Sequence, residues 1–180
     1  MLTEAAFIEQ LKEKKTQEQA FRTLVSQYKE RLYWHIRRIV LNHDDTDDVL
    51  QNTFIKIYRN IEGFKGKSAL YSWMYRIATN EALSFLNSKA RKYSVSNEEL
   101  QNRMVEDLRA DVYFEGDEIQ LKLQKAVATL PEKQRLVFNM KYFENMKYED
   151  MSKIMDTSVG ALKASYHHAV KKIENYVTAL

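Results

Sequence analysis

Four glycines and a single proline in 180 residues leave this chain few places to turn tightly. A strand-rich fold needs such residues at nearly every strand end, whereas helix interiors exclude them. The chain is therefore expected to be all-α, built from long helices. The apolar pattern agrees. Phe21, Leu24, Val25, Tyr28, Leu32, Ile36, Ile39 and Val40 recur at three- and four-residue steps, the period of a helix with one buried face. Thr16 with Gln19 predicts a capping box at its start, and a shorter amphipathic helix bearing Phe7, Ile8 and Leu11 is expected before it.

Thr46 is predicted to cap the next helix, with Asp47 and Asp48 in its first turn and Leu50, Phe54, Ile57 and Ile61 as its buried stripe. A loop, Glu62 to Lys67, holds two of the four glycines. Ser68 is predicted to cap a helix reaching about Lys92, with Leu70, Met74, Ile77, Ala78, Phe85 and Leu86 inward. Periodicity then fades. From Ser94 to Glu118 eight acidic residues stand against two arginines, a net −6 in a chain of net +3. Such a stretch reads as an acidic flexible linker with at most a transient helical turn. Helical spacing returns with Ile119, Leu123, Val127 and Leu130, and Pro131 suits the first position of a new helix. Two further helices follow, Tyr148 to Met155 and Ser158 to about Val177, joined at Asp156 and Thr157. The expected organisation is two small helical domains, 1–93 and 118–180, joined by the linker 94–117.

Composition excludes several classes. Hydrophobic residues make up 44%, enough for a packed core. Cysteine is absent, so there is no disulfide framework and no thiol nucleophile. No signal peptide and no apolar run long enough for a membrane span is seen. His35, His43, His167 and His168 lack a ligand-spaced partner, and the Asp44–Asp48 run lacks the glycine and glutamate of a calcium loop. No phosphate loop or nucleophile elbow occurs. No catalytic residue, cofactor or metal is expected.

Three surfaces carry chemistry instead. Tyr148–Met155, a short turn and the longer helix after it follow the helix-turn-helix plan, whose second helix enters the major groove. Its outer face shows Ala161, Ala164, Ser165, His168, Lys171 and Lys172: small residues permit close approach to bases, and lysines meet phosphates. The bland alternative is a helical hairpin with a solvated basic face. Next, Trp73, Arg76, Asn80, Ser84 and Asn87 share one face of the helix after the glycine loop, flanked by Lys65, Lys67, Lys89, Arg91 and Lys92. Aromatics stack on unpaired bases, cations hold phosphates and Asn reads base edges; Tyr71 and Tyr75 add stacking area, or else Trp73 and Tyr75 simply pack in the core. Finally, Asp48, Gln51, Asn52, Ile55 and Tyr58 place apolar groups on a polar face, the mark of a protein-docking surface or of a solvated face with incidental apolar residues.

At this level the residues resemble a known family. Asp47 through Arg59 looks like the region 2 helix of extracytoplasmic-function sigma factors of the sigma-70 family, and Phe64 through Asn80 resembles the loop and helix that follow it there. Leu130 through Phe138, Tyr148 through Met155 and Ser158 through Ala169 resemble region 4. The resemblance spans about residues 5 to 178. It implies a cytoplasmic factor, monomeric when free, that partners core RNA polymerase, promoter DNA and an anti-sigma factor and is not itself a membrane protein. Asp48, Gln51, Asn52, Ile55 and Tyr58 would dock on polymerase. The −10 element would meet Lys56, Phe64, Lys65, Lys67, Tyr71, Trp73, Arg76, Asn80, Ser84 and Asn87, with Lys56, Phe64 and Asn80 at positions that contact a flipped base. The −35 duplex would meet Ser158, Gly160, Ala161, Lys163, Ala164, Ser165, His167, His168 and Lys171. The family often has Thr at 161, Ser at 164 and Arg at 165 and 168, so the strength and sequence of −35 recognition do not follow from the resemblance. A helix-turn-helix regulator that binds duplex DNA without polymerase is the alternative, and a helical sequestering protein a second.

Overall fold

Thr3 opens the first helix, its hydroxyl accepting from the Ala6 amide at 3.3 Å. The computed structural model describes residues 3–108 and 118–179. Among these, every regular element is helical: α1 (Glu4–Lys12), α2 (Gln17–Val40), α3 (His43–Asn60), a short 3-10 turn (Ile61–Gly63), α4 (Leu70–Tyr93), α5 (Asn97–Asp107), α6 (Glu118–Ala128), α7 (Glu132–Phe138), α8 (Tyr148–Met155) and α9 (Val159–Thr178). A five-residue π-helical turn, Asn139–Phe143, continues α7.

Three helix starts differ from the sequence expectation, each for a local reason. Thr16 does not form a capping box; its hydroxyl donates to Gln10 O at 2.8 Å and so ties the end of α1 to the start of α2. α3 begins before Thr46, because Asn42 Oδ1 accepts from the Asp45 amide at 2.9 Å. Thr46 is then buried one turn in, its hydroxyl turned back to Asn42 O. Ser68 does not cap α4. Ala69 holds the cap position and has no group to offer; the Leu70 amide donates instead to Glu4 Oε1, from α1, at 3.1 Å.

The larger correction concerns the acidic segment. Residues 97–107 form α5, with Ser96 Oγ accepting from the Glu99 amide at 3.0 Å. Leu100, Met104, Val105 and Leu108 are buried on one side, and α5 packs against α4 and α6. Four well-spaced apolar residues and a good cap outweigh the charge, which lies on the outer face. The remaining linker residues, 109–117, lie outside the described residues.

The first lobe packs α2, α3 and α4 around Leu24, Leu32, Ile36, Ile57 and Met74, with Leu11 of α1 fully buried against them. The second packs α6, α7 and α9 around Val127, Phe138, Ala169 and Ile173. The lobes also touch directly. α4 lies against α8, and one buried cluster runs from Met74 and Tyr75 to Met151, Ile154 and Leu162. Hydrophobic spacing within each lobe does not reveal this contact.

Candidate nucleic-acid and polymerase interfaces

At about 100° per residue, Asp48, Gln51, Asn52, Ile55 and Tyr58 fall within about 120° of the α3 circumference. All five are exposed. Ile55 is 41% and Tyr58 43% exposed, high values for residues with so much apolar surface. Tyr58 is nonetheless fixed: its ring meets Phe21 edge to face at 5.0 Å, and its hydroxyl donates to Gln17 Oε1 at 3.3 Å. Phe21, Val25, Gln51, Phe54, Ile55 and Tyr58 line a shallow, mostly apolar groove between α2 and α3.

On α4 the exposed residues Arg76, Asn80, Ser84 and Asn87, with half-buried Trp73, fall within an arc of about 80°. Met74, Tyr75, Ala78, Thr79, Ala82 and Leu86 occupy the buried side. Asn87 Oδ1 accepts from Asn97 Nδ2 of α5 at 2.6 Å. Lys56, exposed, pairs with the half-buried Glu81, and its ammonium stays within reach of a phosphate.

Burial divides the aromatics. Tyr75 belongs to the core. Tyr71 is half-buried, its ring 4.4 Å from that of Tyr75 and under the Arg31 guanidinium at 5.0 Å. Burial, with Glu144 adding, pushes the Tyr71 phenol up to about 12 and the Tyr75 phenol further still. Phe64 is 4% exposed and packs on Trp73 at 5.1 Å, so it supports the loop from beneath while Lys65 and Lys67 project outward.

On α9, Ser158 Oγ accepts from the Ala161 amide at 3.3 Å and starts the helix. Gly160, Ala161, Lys163, Ala164, His167, His168 and Lys171 are exposed and Ser165 is half-buried, while Leu162, Ala169 and Ile173 face inward. Asp156, in the left-handed region at φ 48, makes the tight turn from α8. The two lobes bring Lys67, Trp73 and Arg76 beside Lys153, Asp156 and Ser158 around a polar cleft of about 420 Å³. Arg76 Nη2 lies 3.9 Å from Asp156 Oδ2 across it.

The lobes also meet at a contact that sequence reasoning missed. His35 Nδ1 is 2.8 Å from Glu144 Oε1, and His35 Nε2 is 2.8 Å from Thr79 Oγ1. The Thr79 hydroxyl donates to Tyr75 O, so Nε2 must donate to Thr79. Nδ1 and the Glu144 carboxyl complete the bridge between the lobes. Asn139 Nδ2 donates to Arg38 O at 3.3 Å nearby. A lone buried histidine gives no sequence signal of its own partner 109 residues away.

Residues 24–92 match the family description Sigma-70 region 2, and residues 120–173 match Sigma-70, region 4. This chain belongs to the sigma-70 family. Within it, the relatives are of the extracytoplasmic-function (ECF) group. The ECF RNA polymerase sigma-E factor of Haemophilus influenzae is 33% identical over 99% of this chain and 97% of its own length. That of Escherichia coli (strain K12) is 29% identical over 99% and 96%. Among solved structures, CnrH in complex with the cytosolic domain of CnrY has a TM-score of 0.68 at 18% identity, covering 96% of each chain. The sigma factor RpoE in complex with the anti-sigma factor NepR, from Bartonella quintana, has a TM-score of 0.66 at 19% identity, covering 88% of this chain and 96% of that one. The structural likeness extends the shared fold over both lobes. A sigma factor is an initiation factor rather than an enzyme: it binds core RNA polymerase and directs it to promoter DNA. The described helices of this sigma factor include none long and apolar enough to cross a membrane.

Proposed function

We propose that this sigma factor docks on core polymerase through the α3 face of Asp48, Gln51, Asn52, Ile55 and Tyr58. The −10 element, opened to single strands, lies along the 64–70 loop and the α4 face, against Lys56, Lys65, Lys67, Trp73, Arg76, Asn80, Ser84 and Asn87. Tyr71 and Phe64 support that surface from within. The −35 duplex meets α9 through Ser158, Gly160, Ala161, Lys163, Ala164, Ser165, His167, His168 and Lys171. The factor acts in the cytoplasm, is monomeric when free and is restrained by an anti-sigma factor; both solved relatives named above are complexes with a second protein.

The observation that carries this reading is the α4 face. Arg76, Asn80, Ser84 and Asn87 stay exposed along three turns of a helix that buries Met74, Tyr75, Ala78, Thr79, Ala82 and Leu86 on another side. A regulator that reads only duplex has no use for such a platform. The test is Asn80→Ala. The variant keeps core binding, loses one set of base-edge hydrogen bonds of about 1–3 kcal/mol, and opens duplex promoters more slowly, seen as weaker permanganate reactivity of −10 thymines. A pre-melted −10 template recovers part of the loss. Normal opening by Asn80→Ala removes it from the site, and stable duplex binding by the isolated protein favours the polymerase-independent regulator.

A further inference from the structure

α1 lies beside the loop that joins the 3-10 turn to α4 and holds it at both ends. Lys12 Nζ donates to Phe64 O at 2.8 Å, where the loop begins. Glu4 Oε1 accepts from the Leu70 amide at 3.1 Å, where it ends. Eight residues of helix separate the two side chains, about 12 Å along the axis. Both bonds are partly buried and each has a charged partner, the stronger class of hydrogen bond.

The loop needs this help. A helix start leaves amides without intrahelical partners, and Ala69 cannot cap α4. Glu4 supplies the missing acceptor, and its negative charge suits the positive end of the α4 dipole. Between the two ties stand Lys65, Gly66, Lys67 and Ser68, with Gly66 at φ +67 and open space around it. Such a segment has little packing of its own to choose one conformation. α1 is firmly seated by comparison: Leu11 is fully buried, and Phe7 and Ile8 pack on the same core.

We propose that Glu4 and Lys12 are positioning residues for promoter opening. By clamping both ends of the 64–70 loop, α1 presents Lys65, Lys67 and Trp73 to the −10 strand in a single geometry. This rests on the reading of that loop as a −10 contact, and it gives the N-terminal helix a part in base selection that its sequence does not announce.

The experiment uses the full chain with core polymerase. Lys12→Met keeps the length and removes the donor; Lys12→Arg keeps a donor. Glu4→Ala removes the acceptor; Glu4→Gln keeps one. Glu4 lies in the exposed first turn, so its loss leaves the α1–α2 core in place. Lys12→Met and Glu4→Ala should bind core polymerase within about twofold of wild type and form open complexes about three- to tenfold more slowly, the scale of one intramolecular hydrogen bond. Their discrimination across a panel of single-base −10 substitutions on pre-melted templates should flatten, and Lys12→Arg and Glu4→Gln should restore it. Asn80→Ala serves as the reference. Wild-type opening and base preference in Lys12→Met and Glu4→Ala, with Asn80→Ala defective, overturns the clamp alone. Slower opening with base preference intact and a lowered melting temperature reduces α1 to a structural support and also overturns it. Wild-type behaviour of Asn80→Ala as well overturns the underlying reading of the surface.

Discussion

Cutting Glu144 back to alanine tests how much one buried polar contact adds to the apolar packing that joins the two lobes. His35 is 1% exposed and Glu144 10%, and they meet at 2.8 Å. The variant leaves Nδ1 of His35 without its partner, while Nε2 stays committed to Thr79. Leaving a buried polar atom without its partner costs about 1–3 kcal/mol. Water can enter at the slightly open Glu144 side, so the expected loss is about 1–2 kcal/mol. It should fall on lobe docking rather than on either core, because Met74 and Ile57 in one lobe and Phe138 and Ile173 in the other keep their own neighbours. Hydrogen exchange should therefore speed up in α8 and in the Tyr75–Thr79 stretch of α4 while α2 and α9 keep their protection. Glu144→Gln, which keeps a side chain able to donate or accept, should lose about half as much. A double-mutant cycle with His35→Phe should return a coupling of at least 1 kcal/mol, beyond the roughly 0.3–0.5 kcal/mol scatter of independent sites. Unchanged exchange in Glu144→Ala, or coupling within that scatter, would refute the latch.

Ile55→Asp should weaken core-polymerase binding by tenfold or more with helicity unchanged, read by competition against a labelled wild-type factor; wild-type affinity would clear α3 of the docking role. Tyr58→Asp should do the same and also lose the edge-to-face contact with Phe21, about 0.5–1.5 kcal/mol of stability. Tyr71 has a folded value near 12 against an ordinary 10, so its neutral form is favoured by folding. Its contribution is complete below pH 10 and is lost as pH rises toward 12. The denaturant midpoint of wild type should fall more steeply between pH 10 and 12 than that of Tyr71→Phe, and parallel curves would contradict the burial assigned to this ring. Leu100→Ala should cost about 2–3 kcal/mol in local opening of α5, seen as faster exchange of amides 97–107, and fast exchange of those amides in wild type would return the segment to a linker.

Much of the fold is legible from spacing. The stripe of Leu24, Leu32 and Ile36 in α2, and of Leu162, Ala169 and Ile173 in α9, follows from period alone. The end of α8 at Met155 and the turn at Asp156 are equally local. What failed was competition between local choices. Thr16, Thr46 and Ser68 are each competent caps, and a tertiary or neighbouring partner displaced each one. At α5 the net charge of the window hid four apolar residues spaced for a helix. For the surfaces, the polar faces of α3, α4 and α9 were visible as missing hydrophobics. Which aromatics serve in them was not: Trp73 and Tyr75 were both open to either role, and packing puts Tyr75 in the core while Trp73 stays half-buried.

The division of labour on α4 explains why such a helix can be at once rigid and available. One side packs on α2 and α3, and α8 of the other lobe lies against it as well. Ala78, Thr79 and Ala82 are small enough to let these neighbours approach closely. The remaining arc, from Arg76 to Asn87, is thereby held without being covered. A surface fixed by packing loses little entropy when a strand is laid on it, so more of its contact energy appears as binding. Closing the lobes does not mask Asn80 or Ser84, which remain exposed. It does draw Arg76 toward Asp156, and Trp73 and Lys67 toward Ser158, at the rim of the cleft. The end of the proposed −10 surface nearest the loop is therefore the part that the contact between the lobes touches. That is also the end α1 holds through Glu4 and Lys12, so the loop's geometry is kept by a tie within its own lobe and survives the parting of the two.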